Sequence, residues 1–116
     1  MTYDSQAKAF NFINRGETNV YLWGDRVGDG VKSIDRPVTV TPRGGSYHIF
    51  AEDLINELNS KLATNTEAKI KFDVYISTED KQKHILNYML WIRKKDGVLS
   101  IETQNTGTTD ENFTQR

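Results

Sequence analysis

The sequence predicts an α+β fold, mostly antiparallel β, in which one amphipathic helix packs on a sheet. The first observation is the strict alternation of residues 69–77, where every second side chain is apolar. A period of two is typical of a strand with one buried face. The second observation is a helical period over residues 51–62. The apolar face of the central strand comprises Ile70, Phe72, Val74 and Ile76.

Composition limits the domain organisation and the function. A chain of 116 residues can bury one core but is short for two independent domains. With 15 Lys and Arg against 16 Asp and Glu, the formal charge of -1 predicts no attraction to nucleic acid. The absence of cysteine excludes disulfides, thiolate metal sites and a cysteine nucleophile. No apolar run could cross a bilayer and residues 1–15 lack a secretory signal, so we expect a soluble protein, cytoplasmic or exported by another route.

The N-terminal half is predicted to form short strands. Residues 1–8 are polar and aperiodic, which indicates a flexible lead-in to a single domain over 9–104. Two apolar runs, 10–14 and 20–24, flank a turn composition and predict a hairpin. In the second run Tyr21 and Trp23 face away from the aliphatic side chains.

The turn-rich stretch 24–35 contains three aspartates that could wrap a calcium ion. Asp25, Asp29 and Asp35 lack the one-three-five spacing and the terminal glutamate of the helix-loop-helix calcium site. Asp-Gly pairs are also ordinary turn chemistry. We therefore predict no metal and no cofactor.

Residues 37–42 alternate valine and threonine between two prolines, which predicts a short strand at a sheet edge. A turn at 43–45 leads into another strand-like run over 46–50 and then into the helix. Glu52 and Asp53 lie in its first turn, where the helix dipole favours acidic groups. The helix residues expected to meet the central strand are Leu54, Ile55, Leu58 and Leu62.

Residues 84–93 fit either a helix or a strand. As a helix, one face would carry Ile85, Met89 and Ile92; as a strand, alternate side chains would face a core. We favour the strand because a tight turn at 94–97 and a second alternating run over 98–103 follow it. The predicted result is a three-stranded antiparallel meander over residues 69–103, and residues 105–116 are polar enough to predict a disordered tail.

Reactive groups are few. The sequence has no phosphate-binding glycine loop, no paired histidine metal motif and no nucleophile elbow. His48 and His84 each lie inside a predicted strand, where a lone histidine is usually structural. We predict that the protein is not an enzyme, and the alternative requires one of these histidines to line a cleft beside a carboxylate.

Aromatic placement is the strongest functional signal. Four aromatic residues project from the face opposite the aliphatic set of their own strand: Tyr21, Trp23, Tyr75 and Trp91. If their strands share a sheet, they form a ligand-binding patch that could stack on sugars, lie at lipid headgroups or anchor a protein. The alternative is that a loop or a second sheet covers this face.

The order of strands and turns in residues 10–50 resembles the opening strands of the aegerolysins and similar small insecticidal or membrane-active β-sandwich proteins. The resemblance rests on the segments 10–14, 20–23, 38–40, 44–46 and 47–49. It implies recognition of membrane lipids, often with a larger partner in pore formation. The helix predicted at 51–62 departs from this mostly-β family.

The leading functional hypothesis is therefore a non-enzymatic, toxin-like binding module that recognises a membrane lipid, a glycan or a protein through the aromatic face. The alternative is a small cytosolic interaction protein, of the inhibitor or immunity type, that forms a stoichiometric complex through its acidic helix or an edge strand. An edge strand could equally pair with a second copy of the chain.

Overall fold

The computed structural model describes residues 1–28 and 33–109, with the backbone alone described for residues 33–35. Within them the chain forms eight strands and one helix. In chain order these are β1 (Thr2–Asp4), β2 (Ala9–Asn14), β3 (Val20–Val27), β4 (Ser33–Val40), β5 (Gly45–Phe50), α1 (Glu52–Lys61), β6 (Thr66–Thr78), β7 (Lys83–Lys95) and β8 (Val98–Thr109).

The strands form two antiparallel sheets. A three-stranded sheet has the order β1-β2-β5, and a five-stranded sheet has the order β4-β3-β6-β7-β8. The molecule is thus mostly antiparallel β with one short helix, which agrees with the predicted fold class at this level.

The core lies between the two sheets. Phe10 on β2 contacts Phe72 on β6, with ring centroids 5.0 Å apart and planes tilted by 46°, an ordinary geometry for a buried aromatic pair. The predicted alternation of the central strand is confirmed, because Phe72, Val74 and Ile76 are buried in this core. The core residues supplied by the other strands are Phe12, Leu22, Val40, Ile49, Tyr88, Leu90 and Ile92.

The hairpin predicted between residues 10–14 and 20–24 is wrong. β2 pairs with β1 and β5, whereas β3 pairs with β4 and β6 in the other sheet. Asn14 ends β2 and is buried; its Nδ2 donates to the carbonyls of Thr18 (2.8 Å) and Val40 (2.9 Å). These bonds hold residues 15–19 as a crossing between sheets, where turn composition alone had suggested a hairpin.

The C-terminal meander is confirmed. Residues 84–93 lie in β7, which pairs with β6 on one side and β8 on the other. A two-residue turn joins β7 to β8, with Asp96 at φ 52° and Gly97 at φ 79°. Aspartate and glycine tolerate this left-handed backbone, and the resulting turn matches the twist of the flanking strands.

Strands extend further toward both ends of the described chain than the sequence predicted. Instead of a flexible lead-in, residues 2–4 form β1, and Met1 and Tyr3 pack against the core. Instead of ending near residue 104, β8 continues to Thr109, while residues 110–116 of the predicted tail lie outside the described residues. At both ends the backbone pairs with a neighbouring strand, which satisfies its N–H and C=O groups although the apolar signal is weak.

The helix and the edge strand lie close to their predicted places. α1 begins one residue later than predicted, Ile55 is buried, and Leu58 and Leu62 pack against the core. The predicted contacts of the four helix residues with β6 stay a prediction: Leu54, Ile55, Leu58 and Leu62. β4 forms an edge of its sheet, as its prolines predicted.

The turn-rich stretch 24–35 lies partly outside the described residues. β3 extends through its first four residues, so Asp25 lies in a strand, while Asp29 and the side chain of Asp35 lie outside the described part. Among the described residues, no helix is long and apolar enough to span a membrane.

We predict that Asn14→Ala destabilises the protein by about 1–3 kcal/mol, because it leaves the buried Val40 carbonyl without its donor. Urea unfolding monitored by circular dichroism measures this. Asn19→Ala, five residues further along the same crossing, is the matched control and should change stability by only a few tenths of a kcal/mol, about the size expected of ordinary surface substitutions. Equal effects of the two variants would contradict the role given to Asn14.

Candidate functional site

The outer face of the meander carries an ordered grid of side chains. Residues that alternate with the core-facing set on β6, β7 and β8 point away from the core, and the register aligns them in rows across the three strands. We call the nine residues in three of these rows, centred on Trp91, the Trp91 patch. Its rows are Glu67, Arg93 and Ser100; Lys69, Trp91 and Glu102; and Lys71, Met89 and Gln104.

Trp91 occupies the centre of this grid and is 41% exposed. Its indole Nε1 donates to Gln104 Oε1 at 3.1 Å, which fixes one edge of the ring. The Lys69 ammonium lies 4.1 Å from the ring centroid, within the range of a cation–π contact. The ring is therefore held in place by polar neighbours while much of it remains open to solvent.

The patch carries charges of both signs. Arg93 Nε donates to Glu67 Oε1 at 2.9 Å, and both side chains are exposed. Such a surface ion pair contributes only about 0–1 kcal/mol, so its groups can turn toward a ligand at little cost. Counting Lys69, Lys71 and Arg93 against Glu67 and Glu102, the basic groups exceed the acidic ones by one.

A shallow depression of about 490 Å³ lies on this surface. Its volume falls in the range of roughly 300–1,000 Å³ that is typical of small-molecule sites. Patch residues from all three strands line it, together with Ala68 and Ile92 at its base. The arrangement offers one flat apolar surface surrounded by hydrogen-bonding groups.

The four aromatic residues predicted as a single patch do not come together. Tyr75 is 1% exposed and packs with Ile85 and the half-buried Trp23. The six-residue step from Lys69, the partner of Trp91, to Tyr75 along β6 corresponds to roughly 20 Å. Of the four residues, Trp91 is the exposed one, Tyr21 and Trp23 are half-buried, and the burial of Tyr75 removes it from any open surface.

Trp23 and Tyr21 each have a local polar partner. A register shift in β3 between Leu22 and Gly24 places Trp23 at a bulge, and its Nε1 donates to Ser77 Oγ at 2.9 Å. The Tyr21 hydroxyl donates to Glu79 Oε1 at 3.2 Å. Both hydrogen bonds hold these rings near the C-terminal end of β6, which is far from Trp91.

Sequence reasoning missed the polar neighbours of Trp91. The signal was present: once Asp96 and Gly97 fix the turn, the β7–β8 register follows, and it places Glu102 beside Trp91. The register of β6 with β7 then adds Lys69 on the other side.

The histidines do not build a second site. His48 lies exposed on β5, with its ring 6.2 Å from that of Phe50, and His84 lies near the start of β7. Neither residue lines either of the two depressions described for this part of the chain. Among the described residues, no cluster of three or more histidine, aspartate and glutamate side chains could hold a metal ion.

No protein-family model, curated protein or solved structure matches the chain. The resemblance of residues 10–50 to the aegerolysins therefore stays a prediction.

The two tryptophans are expected to respond differently to solvent. In a Trp91→Phe variant, the remaining half-buried Trp23 should emit at shorter wavelength and resist acrylamide quenching. In a Trp23→Phe variant, the exposed Trp91 should emit at longer wavelength and be readily quenched. Steady-state fluorescence checks this, and equal quenching of the two variants would contradict the placement of both rings.

Proposed function

We propose that this protein is a non-enzymatic binding module that recognises a neutral glycan through the Trp91 patch. The observation that carries the proposal is the exposed, polar-framed indole of Trp91 above a depression of about 490 Å³. The proposal keeps Trp91 from the predicted aromatic set and replaces Tyr21, Trp23 and Tyr75 with the charged and polar neighbours of Trp91.

A sugar ring matches such a surface because it has an apolar face of C–H groups and a rim of hydroxyls. Packing the C–H face on the indole removes apolar area from water, at about 25 cal/mol per Å². The hydroxyls can then bond to the carboxylates of Glu67 and Glu102 and to the Gln104 amide, all of which belong to the Trp91 patch. Lys69 is long and flexible enough to move aside and donate to the same ligand.

The charge pattern favours a neutral ligand. The excess of one basic group over the acidic ones creates no strong field for sulfated or phosphorylated ligands. A bilayer surface would place Glu67 and Glu102 next to lipid phosphates, which would repel them. Membrane-binding surfaces also combine an extended apolar face with basic residues, whereas here Trp91 is surrounded by mixed charges.

We predict that Trp91→Ala weakens glycan binding by about tenfold or more, a loss of about 1.4 kcal/mol, because the stacking surface is removed. Trp91→Phe should retain part of the affinity. A glycan array identifies the best neutral oligosaccharide, and isothermal titration calorimetry then measures its affinity for each variant. The matched control is Phe50→Ala, which removes a still more exposed aromatic side chain from the other sheet and should leave glycan affinity unchanged.

The proposal fails if no neutral glycan binds, or if a bound glycan is indifferent to Trp91→Ala. Vesicles of phosphatidylcholine, with and without anionic lipid, provide the comparison for headgroup recognition. Binding to these vesicles without binding to glycans would contradict the glycan proposal and favour the lipid-binding hypothesis.

The second candidate is a stoichiometric protein complex formed along β8. Within the described residues, β8 has a neighbour only on its β7 side in the sheet, and its 12 residues make it long for an edge strand. Apart from its contact with Met1 at Thr103, this strand edge could accept a strand from another chain. This complex would be seen by light scattering after gel filtration and would survive Trp91→Ala, whereas glycan binding would not.

A further inference from the structure

A second depression, of about 370 Å³, lies between the two sheets beside the beginning of α1. We call it the inter-sheet cleft. Its apolar lining is formed by Val27, Ile49, Phe50, Leu54 and Phe72. Phe50 is 72% exposed, so an aromatic ring stands uncovered where the cleft opens. An apolar cleft of this size is a plausible binding site for a small organic molecule.

One wall of the cleft carries a carboxylate at a position where an apolar side chain would be expected. The bulge in β3 shifts the register so that Asp25 pairs with Val74 and Val27 pairs with Phe72. Val74 and Phe72 face the core, and Asp25 therefore points into the space between the sheets. It lines the cleft together with the apolar residues.

Asp25 is held there at a cost to stability. Burial raises the pKa of its carboxyl, because removal from water disfavours the ionised form. From the described residues, no side chain donates a hydrogen bond to this carboxylate and no cation pairs with it. A partly buried charge without a partner is unfavourable, and such groups are candidates for a role in binding.

The charges of the cleft define what could complement it. Besides Asp25, the titratable groups that line it are Glu52 and Asp53 of α1, both exposed carboxylates. Of the residues whose side chains the structure describes, no basic one lines the cleft. A ligand that complements both the apolar lining and the carboxylates needs an apolar body for Phe50 and Leu54 and a positive charge for Asp25.

We propose that the inter-sheet cleft binds an apolar organic ammonium ion, with the Asp25 carboxylate as its counter-ion and Phe50 and Leu54 against its apolar body. The cleft and the Trp91 patch are separate surfaces, so this inference goes beyond the proposed glycan recognition and does not depend on it. An ammonium group would supply Asp25 with a charge-assisted hydrogen bond of the strong kind.

Three probes that share a phenyl ring and differ in charge test the proposal: 2-phenylethylammonium, 2-phenylethanol and 3-phenylpropionate. We expect the cation to shift backbone amide NMR signals of cleft residues in the wild-type protein. The alcohol should bind about tenfold more weakly and the anion should not bind detectably. Asp25→Asn should reduce binding of the cation to the level of the alcohol, because the amide has the same shape without the charge.

Two control variants locate the effect. Glu52→Gln removes a neighbouring carboxylate on the rim and should weaken binding of the cation less than Asp25→Asn does. Trp91→Ala should not change it at all. Equal affinities for cation and alcohol, or a cation affinity unchanged in Asp25→Asn, would overturn the proposal, and signal shifts confined to the Trp91 patch would do the same.

Asp25→Asn should also stabilise the fold at neutral pH. Because burial raises the folded-state pKa of Asp25, protonation of this carboxyl stabilises the fold. This stabilisation is fully present below the unfolded-state pKa of about 3.9 and is lost as pH rises through the folded-state pKa. Asparagine carries no such penalty, so Asp25→Asn should melt at a higher temperature than wild type at pH 7, with the difference shrinking toward about pH 3.

Calorimetric melting curves at both pH values measure this difference. A variant that is less stable than wild type at pH 7 would show that Asp25 is a structural residue and would remove the basis for the proposal. A more stable variant that has lost the cation would support a residue retained for binding at the expense of stability.

Discussion

The packing of the apolar face of β6 against the smaller sheet is the interaction on which the rest of the structure depends. Phe72 meets Phe10 across the two sheets, and the neighbouring apolar side chains of β6 continue the contact along the core. Because successive side chains of a strand point to opposite faces, packing one face of β6 in the core leaves the other face pointing away from it. Its register with β7 then determines which residues surround Trp91.

Local signals in the sequence predicted local structure. The apolar alternation of residues 69–77 and the Asp96–Gly97 turn each act over a few neighbouring residues, so β6 and the β7–β8 hairpin could be predicted. Sheet membership is not local: residues 15–19 have the composition of a hairpin turn, but Asn14 bonds to the distant Val40 carbonyl and the chain crosses to the other sheet. The strands at 2–4 and 104–109 were missed because edge strands with a polar face carry little apolar signal.

The candidate site was predicted in part. Alternation alone places Trp91 on the outer face, and it also places Tyr75 there, but it cannot show that Trp23 and Ile85 bury the Tyr75 ring. The position of Asp25 could not be predicted, because the bulge that turns it toward the core depends on how β3 pairs with β6. Pairing between strands distant in sequence thus decided which polar groups became part of a surface and which became part of a cleft.

The contact between the two ends of the described chain has a consequence for how the protein is made. The Thr103 hydroxyl donates to the Met1 carbonyl, 102 residues away in sequence, and β1 lies near β8. β1 emerges from the ribosome before β8, so it cannot form this contact until β8 has also emerged. Closure of the two sheets at this edge therefore follows synthesis of all the described strands, and until then the apolar side chains of Met1 and Tyr3 remain available to chaperones or to other nascent chains.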